Sequence, residues 1–238
     1  MNKSMSTTVW LLLLLTACQL VPQAKQTRID EVPMYAGIDR SKIPEAKEAD
    51  EKFISGVSAQ FGSRAKASAI WVNQGFKFYQ QDNLGMAMRR FNQAWLLNPE
   101  NPEVYAGFGS ILHDQGKYCD AMKMMDKAIL LNPPTFQGIY TDAGRIFTLC
   151  AVEDLTLKDA TKAELITRSE ELYKKAQDLE PNKQYLYSSW ASAYYWRGQY
   201  IEAWDMIAKE RDAGGKPSER FLNLLREKMP ESNRKLLP

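Results

Sequence analysis

Ala94-Trp95-Leu96-Leu97-Asn98-Pro99 and Ala128-Ile129-Leu130-Leu131-Asn132-Pro133 are nearly the same phrase, set 34 residues apart. Upstream of each, Trp71, Gly75, Phe78, Ala87 and Phe91 match Tyr105, Gly109, Leu112, Ala121 and Met125 without a gap. Each unit therefore runs from a bulky ring through glycine and a large apolar residue to a second stretch anchored on alanine and closed by proline. The small positions leave room for two helices to cross closely, and the bulky ones fill the space between one unit and the next. Pro99 and Pro133 stop a helix and redirect the chain. Asp82-Asn83 and Gln115-Gly116-Lys117 fall midway, where a turn between two helices belongs.

Downstream the pattern continues with changes. Tyr140, Gly144, Phe147, Tyr173, Ala176 and Pro181 make a third unit, in which Ser169 takes the small-residue site. From Gly144 to Ser169 is 25 residues, where the first two units use 12, so 13 residues are inserted, mostly within 151–164. Thr161-Lys162-Ala163-Glu164 reads as a capping box and predicts a helix starting there that projects beyond its neighbours. The projection is either a contact surface or a tolerated surface insertion. A fourth unit uses Tyr187, Trp190, Ala191, Tyr194, Ala203 and Ile207, turns at Gly198-Gln199-Tyr200, and carries Glu210 where alanine is expected. This pattern resembles the tetratricopeptide repeat, most closely in the first two units. The resemblance implies an all-α fold: a right-handed α-solenoid of about four helix pairs over residues 68–213.

The flanks fit that architecture. Residues 43–67 read as a pre-repeat helical segment opened by Pro44, with Ala46, Ala49, Phe53, Ile54 and Val57 at helical spacing to lie on the first unit. After Gly214-Gly215, residues 214–238 hold a capping helix, apolar at Phe221, Leu222, Leu224, Leu225 and Met229, and a polar tail. A solenoid needs such an end-piece, because its last unit otherwise shows an apolar face to water.

At the N-terminus, Lys3 is followed by an unbroken apolar run from Val9 to Leu15, too short to span a bilayer but suited to a signal-peptide core. Leu15-Thr16-Ala17-Cys18 resembles a bacterial lipobox. That likeness implies a signal peptide over residues 1–17 and a lipidated (palmitate-bearing) Cys18, with Gln19 directing the protein to the periplasmic face of the outer membrane. The competing reading is a general secretory signal in which Cys18 is incidental. Residues 18–42 show no sustained period and read as a tether, although Met34 and Tyr35 could dock on the body.

Without residues 1–17 the chain carries 30 basic and 29 acidic side chains, a balance that offers no footprint for nucleic acid. In tetratricopeptide solenoids the first helix of each pair lines a concave groove that holds partner proteins. Carried over by position, the groove receives Val72, Asn73, Phe76 and Tyr79 from the first unit, and His113 and Asp114 from the second. The third supplies Asp142 and Arg145, and the fourth Tyr195 and Trp196, beside Tyr185, Ser188 and Ser192. Exposed aromatics and arginine dominate many interfaces, and a groove of this kind accepts a helix or an extended segment. Phe76 and Tyr79 could instead pack on the preceding helix, and Tyr195 and Trp196 under the capping helix. The Lys/Asn clamp that some relatives of the repeat use for a C-terminal carboxylate is missing, since Val72, Phe76, Ala106 and Ser110 hold those sites.

An enzymatic reading would rest on His113, the only histidine, with Asp114 and Asp142 as an acid–base cluster; no phosphate loop or metalloprotease motif accompanies it. No metal or cofactor is expected. Cys119 and Cys150 stand at the start and end of consecutive antiparallel helices, positions open to a disulfide or to two buried thiols. The resemblance to repeat-bearing envelope lipoproteins implies a scaffold for building a type IV or tight-adherence pilus. The alternative is an adaptor for peptidoglycan hydrolases, a periplasmic protease or outer-membrane assembly factors.

Overall fold

The computed structural model describes residues 31–37 and 39–231; the signal peptide, Cys18 and the tail 232–238 lie outside the described residues. These residues form ten α-helices and no strand. After α1 (Pro44–Phe61), the helices pack in adjacent antiparallel pairs. The pairs are α2 (Arg64–Gln80) with α3 (Leu84–Leu97), α4 (Pro102–Asp114) with α5 (Tyr118–Leu130), α6 (Ile139–Glu153) with α7 (Asp159–Leu179), and α8 (Lys183–Trp196) with α9 (Tyr200–Asp212). The last helix, α10 (Glu219–Lys228), follows the fourth pair. Each pair also touches the next, an arrangement compatible with a helical-repeat solenoid.

The small residues of the sequence pattern sit where side chains of the paired helix come closest. A Cβ on Gly75 would stand 2.5 Å from Phe91, one on Gly109 3.0 Å from Met125, and one on Gly144 2.9 Å from Tyr173. In the fourth pair the matching partner is Ile207, and there alanine suffices, as Ala191. Ser169 is fully buried and donates to the Gly144 carbonyl at 2.7 Å, with Thr148 Oγ1 2.8 Å from its hydroxyl. A hydroxyl thus replaces alanine without leaving a buried polar atom unsatisfied. Gly144→Ala should force the fully buried Tyr173 ring aside and cost about 1–3 kcal/mol, read as a lowered urea midpoint with an unchanged slope.

Three of the four turns between paired helices use one left-handed residue. Gly116 and Gly198 supply it at φ 72° and 75°, and Asp82 fills the same place at 57°. The start of α6 is satisfied from a distance. Gly138 provides no side chain to cap it, and Glu180 instead accepts from the backbone N–H of Tyr140 at 2.7 Å and from the Thr141 hydroxyl at 2.5 Å.

The inserted residues become helix rather than loop. α7 is 21 residues long against 13 for α5, and α6 has 15 against 13 for α4. The expected capping box is not used: α7 begins at Asp159, after an extended Lys158, so that Thr161 already lies inside the helix. An acidic residue in the first turn suits the helix dipole there.

At the two ends the apolar faces of the terminal pairs are covered. Phe53 and Phe61 of α1 meet the Trp71 ring edge-on, each at 5.7 Å between centroids. Leu222 and Leu225 of α10 are buried against the last pair, and Trp204 Nε1 donates to the Met229 carbonyl at 2.9 Å.

The tether assignment needs correction over its second half, because residues 31–37 and 39–42 lie on the body. Asn92, buried on α3, accepts from the Met34 N–H at 3.0 Å and donates to the Val32 carbonyl at 2.9 Å. Glu31 pairs with Arg89, Tyr35 packs edge-on against Phe108 at 5.1 Å, and Arg40 holds Asp50 of α1. This strap joins α1, α3 and α4. Asn92→Ala should remove both backbone contacts at a cost of about 1–2 kcal/mol, with faster hydrogen exchange at the Met34 amide while amides in α8 and α9 keep their protection.

Candidate functional site

The first helices of three successive pairs present side chains to one hollow of about 480 Å³. His113 comes from α4, Arg145, Leu149 and Glu153 from α6, and Tyr185, Ser188, Ser192 and Trp196 from α8; Tyr118, opening α5, closes one side. The helical period explains the set. Residues 145, 149 and 153 recur every fourth position and so share a face of α6, as 185, 188, 192 and 196 do on α8.

An ion pair organises one end of the hollow. Arg145 Nη2 donates to Asp142 Oδ1 at 2.8 Å, and the Tyr185 hydroxyl donates to the same oxygen. Arg145 Nε is buried and has no hydrogen-bond partner among the described residues. Burial works against the guanidinium charge, but Asp142 and the neighbouring phenols outweigh it, so the Arg145 pKa lies above its ordinary value. The Tyr185 phenol is pushed far up, first by burial and then by Asp142. Tyr79 of α2 is raised as well, by burial and then by Asp114, with Asp142 adding to the shift and Arg145 opposing it. Both phenols therefore stay protonated and serve as donors toward carboxylates.

His113 Nδ1 stands 3.0 Å from Asp114 Oδ1, and its ring meets Tyr118 edge-on at 5.7 Å. Beside this hollow lies a second, lined by Gly116 to Asp120, Lys123, Cys150 and Glu153 to Leu155, which shares Tyr118 and Glu153 with the first. On the wall of this second hollow Cys119 and Cys150 form a disulfide, with Cα atoms 4.7 Å apart. Among the described residues no three His, Cys, Asp or Glu side chains gather as a metal site, and no helix is long and apolar enough to cross a membrane.

The structure thus brings His113, Asp114, Asp142, Arg145 and Trp196 to one region, with Tyr79 alongside. Of these, His113, Arg145 and Trp196 line the hollow itself, Tyr79, Asp114 and Asp142 adjoin it, and the other four expected groove residues lie elsewhere. Val72 is fully buried in a cluster with Phe91, Val104 and Phe108, so no ligand can reach it. Phe76 meets the Phe91 ring edge-on, at 5.1 Å between centroids. Tyr195 packs between Tyr200 and Phe221, under α10. Asn73 is exposed on α2, away from the hollow's lining.

Tyr118, Leu149 and Glu153 line the hollow without having been expected from the repeat. Glu153 reaches it because α6 continues to nine residues past Gly144, whereas α4 stops five past the matching Gly109. The insertion in the third unit was the signal for that extension.

No protein-family model matches the chain, and a search of curated proteins gives no match. The likeness to tetratricopeptide repeats is therefore carried by the residue pattern.

Proposed function

We propose that this chain is a right-handed tetratricopeptide-type solenoid that holds partner proteins in the hollow formed by α4, α6 and α8. In this reading Cys18 carries lipid at the periplasmic face of an outer membrane, and the scaffold supports assembly of an envelope machine such as a type IV or tight-adherence pilus. The observation that supports protein binding is the convergence of Trp196, Arg145 and Tyr185 from successive first helices onto one open hollow, the side-chain types that anchor interfaces. The anchor and the pilus setting rest on the sequence resemblances at Leu15 to Cys18 and across the repeats.

A photo-crosslinker at Ser192, in lipidated protein in its native membrane, tests the reading. Secretin or pilus-assembly components caught there support it. Peptidoglycan hydrolases or a protease would move the function to the adaptor role, and crosslinks no more frequent at Ser192 than at Leu155 would overturn protein binding by the hollow. Trp196→Ala should lower capture about tenfold or more, the loss expected for an interface anchor.

A further inference from the structure

We infer that the hollow selects a basic segment of its partner, one in which lysine or arginine alternates with apolar side chains. The inference rests on the protein-binding reading of the same hollow and adds the chemistry of the occupant.

Three carboxylates, Asp114, Asp142 and Glu153, serve this region against one guanidinium. That guanidinium, Arg145, is already engaged by Asp142. Both contacts to Asp142 fall on Oδ1, so Oδ2 takes no hydrogen bond among the described residues. Glu153 is exposed at the rim, with no ion pair or hydrogen bond of its side chain among the described residues. Asp114 keeps 38% of its side chain open, beside the neighbouring imidazole and the Tyr79 phenol, and a carboxylate has acceptor positions beyond those two. An incoming lysine or arginine meets unfilled acceptor positions on all three, whereas an acidic segment meets like charge.

Trp196 supplies the second element. Its half-exposed ring faces the hollow beside Ser188 and Ser192, and an indole face attracts both a cation and an apolar side chain. The acidic character is local. The chain as a whole has a net charge of +2, and the nearby Lys117 and Lys123 line the adjoining hollow, where Lys123 is paired with Asp120 at 2.8 Å. Attraction of a basic segment to this hollow therefore does not follow from bulk charge.

The experiment uses three fluorescein-labelled peptides with one Gly-Ser framework and a central Phe-X-Phe-X, where X is lysine, glutamate or serine. Anisotropy is read with the purified full-length protein at physiological salt. The lysine peptide should bind about tenfold or more tighter than the glutamate peptide, a ratio within reach of two charge contacts. The double variant D114N/E153Q should cut that preference severalfold, with Asp142 retaining the remainder, and W196A should weaken the lysine and serine peptides together. Equal binding of all three peptides, or a lysine preference undiminished by D114N/E153Q, overturns the inference and leaves the protein-binding reading standing. Binding of none overturns it as well, and the Ser192 crosslink then judges the broader reading on its own.

Discussion

Phe91→Ala should be the most damaging single truncation in the first half of the molecule, at about 3–5 kcal/mol. The ring is fully buried, and it reaches from α3 into two neighbours at once. A Cβ on Gly75 of α2 would stand 2.5 Å from it, and one on Gly107 of α4 2.4 Å. Phe76 and Phe108 close the remaining sides, at 5.1 and 6.2 Å between centroids. Removing the ring leaves a cavity bounded by two glycines, which have no side chains to move into it, so the site collapses poorly and the cost falls toward the upper end. For a domain of this size the loss corresponds to a fall of roughly 10 °C or more in Tm. Each helix pair touches chiefly its neighbours, so the damage should be local. Hydrogen exchange should show α1 to α4 opening first while α8 to α10 keep their protection. Uniform loss across all ten helices, or a cost below about 1 kcal/mol, would contradict this account of the joint.

Gly75 at that joint was readable from the sequence and Gly107 was not, and the reason is physical. Gly75, Gly109 and Gly144 precede large partners on the paired helix, and such a contact recurs with every unit, so spacing alone exposes it. The strap was not readable in the same way. Met34 and Asn92 are 58 residues apart, Asn92 reads locally as one more polar residue on a helix, and residues 31–42 have no period. Only the fold brings their backbone groups and the amide together. Glu180 is a similar case. In the sequence it stands where Asn98 and Asn132 precede proline in the first two units, and nothing local shows that the uncapped start of α6 will need a carboxylate. Within the site, Val72 was misplaced because position within a repeat says which way a side chain leaves its helix, not what packs over it. Thr161 misled for the opposite reason: a capping pattern of four residues is short enough to occur inside a helix whose start is set by residues before it.

Removing the disulfide should have the second large effect, and it bears on the hollow as well as on stability. Cys119 and Cys150 are separated by 31 residues and tie the start of α5 to the end of α6. In the chain-entropy account, a link closing a loop of that length stabilises by about 3–4 kcal/mol, mainly by restricting the unfolded chain. Cys150 is almost fully buried, so alanine is the suitable replacement there, with serine at the more open Cys119. The double variant Cys119→Ser/Cys150→Ala should unfold at a lower urea concentration, by the equivalent of that free energy. Wild-type protein treated with reductant should fall to nearly the same midpoint, and the variant should not respond to reductant. A difference below about 1 kcal/mol would mean that the unfolded chain is already restricted by other contacts. The neighbours of the two cysteines make a second readout possible. Tyr118 adjoins Cys119, and Glu153 lies one helical turn from Cys150 at the end of α6; both form the wall shared by the two hollows. Cutting the link frees that wall before the pairs separate, because the ends of helices open at lower cost than their middles. Exchange at the amides of Tyr118 and Glu153 should therefore quicken in the reduced protein at urea concentrations where the rest remains folded. If exchange there rises only together with global unfolding, the disulfide stabilises the molecule without holding the shape of its hollow.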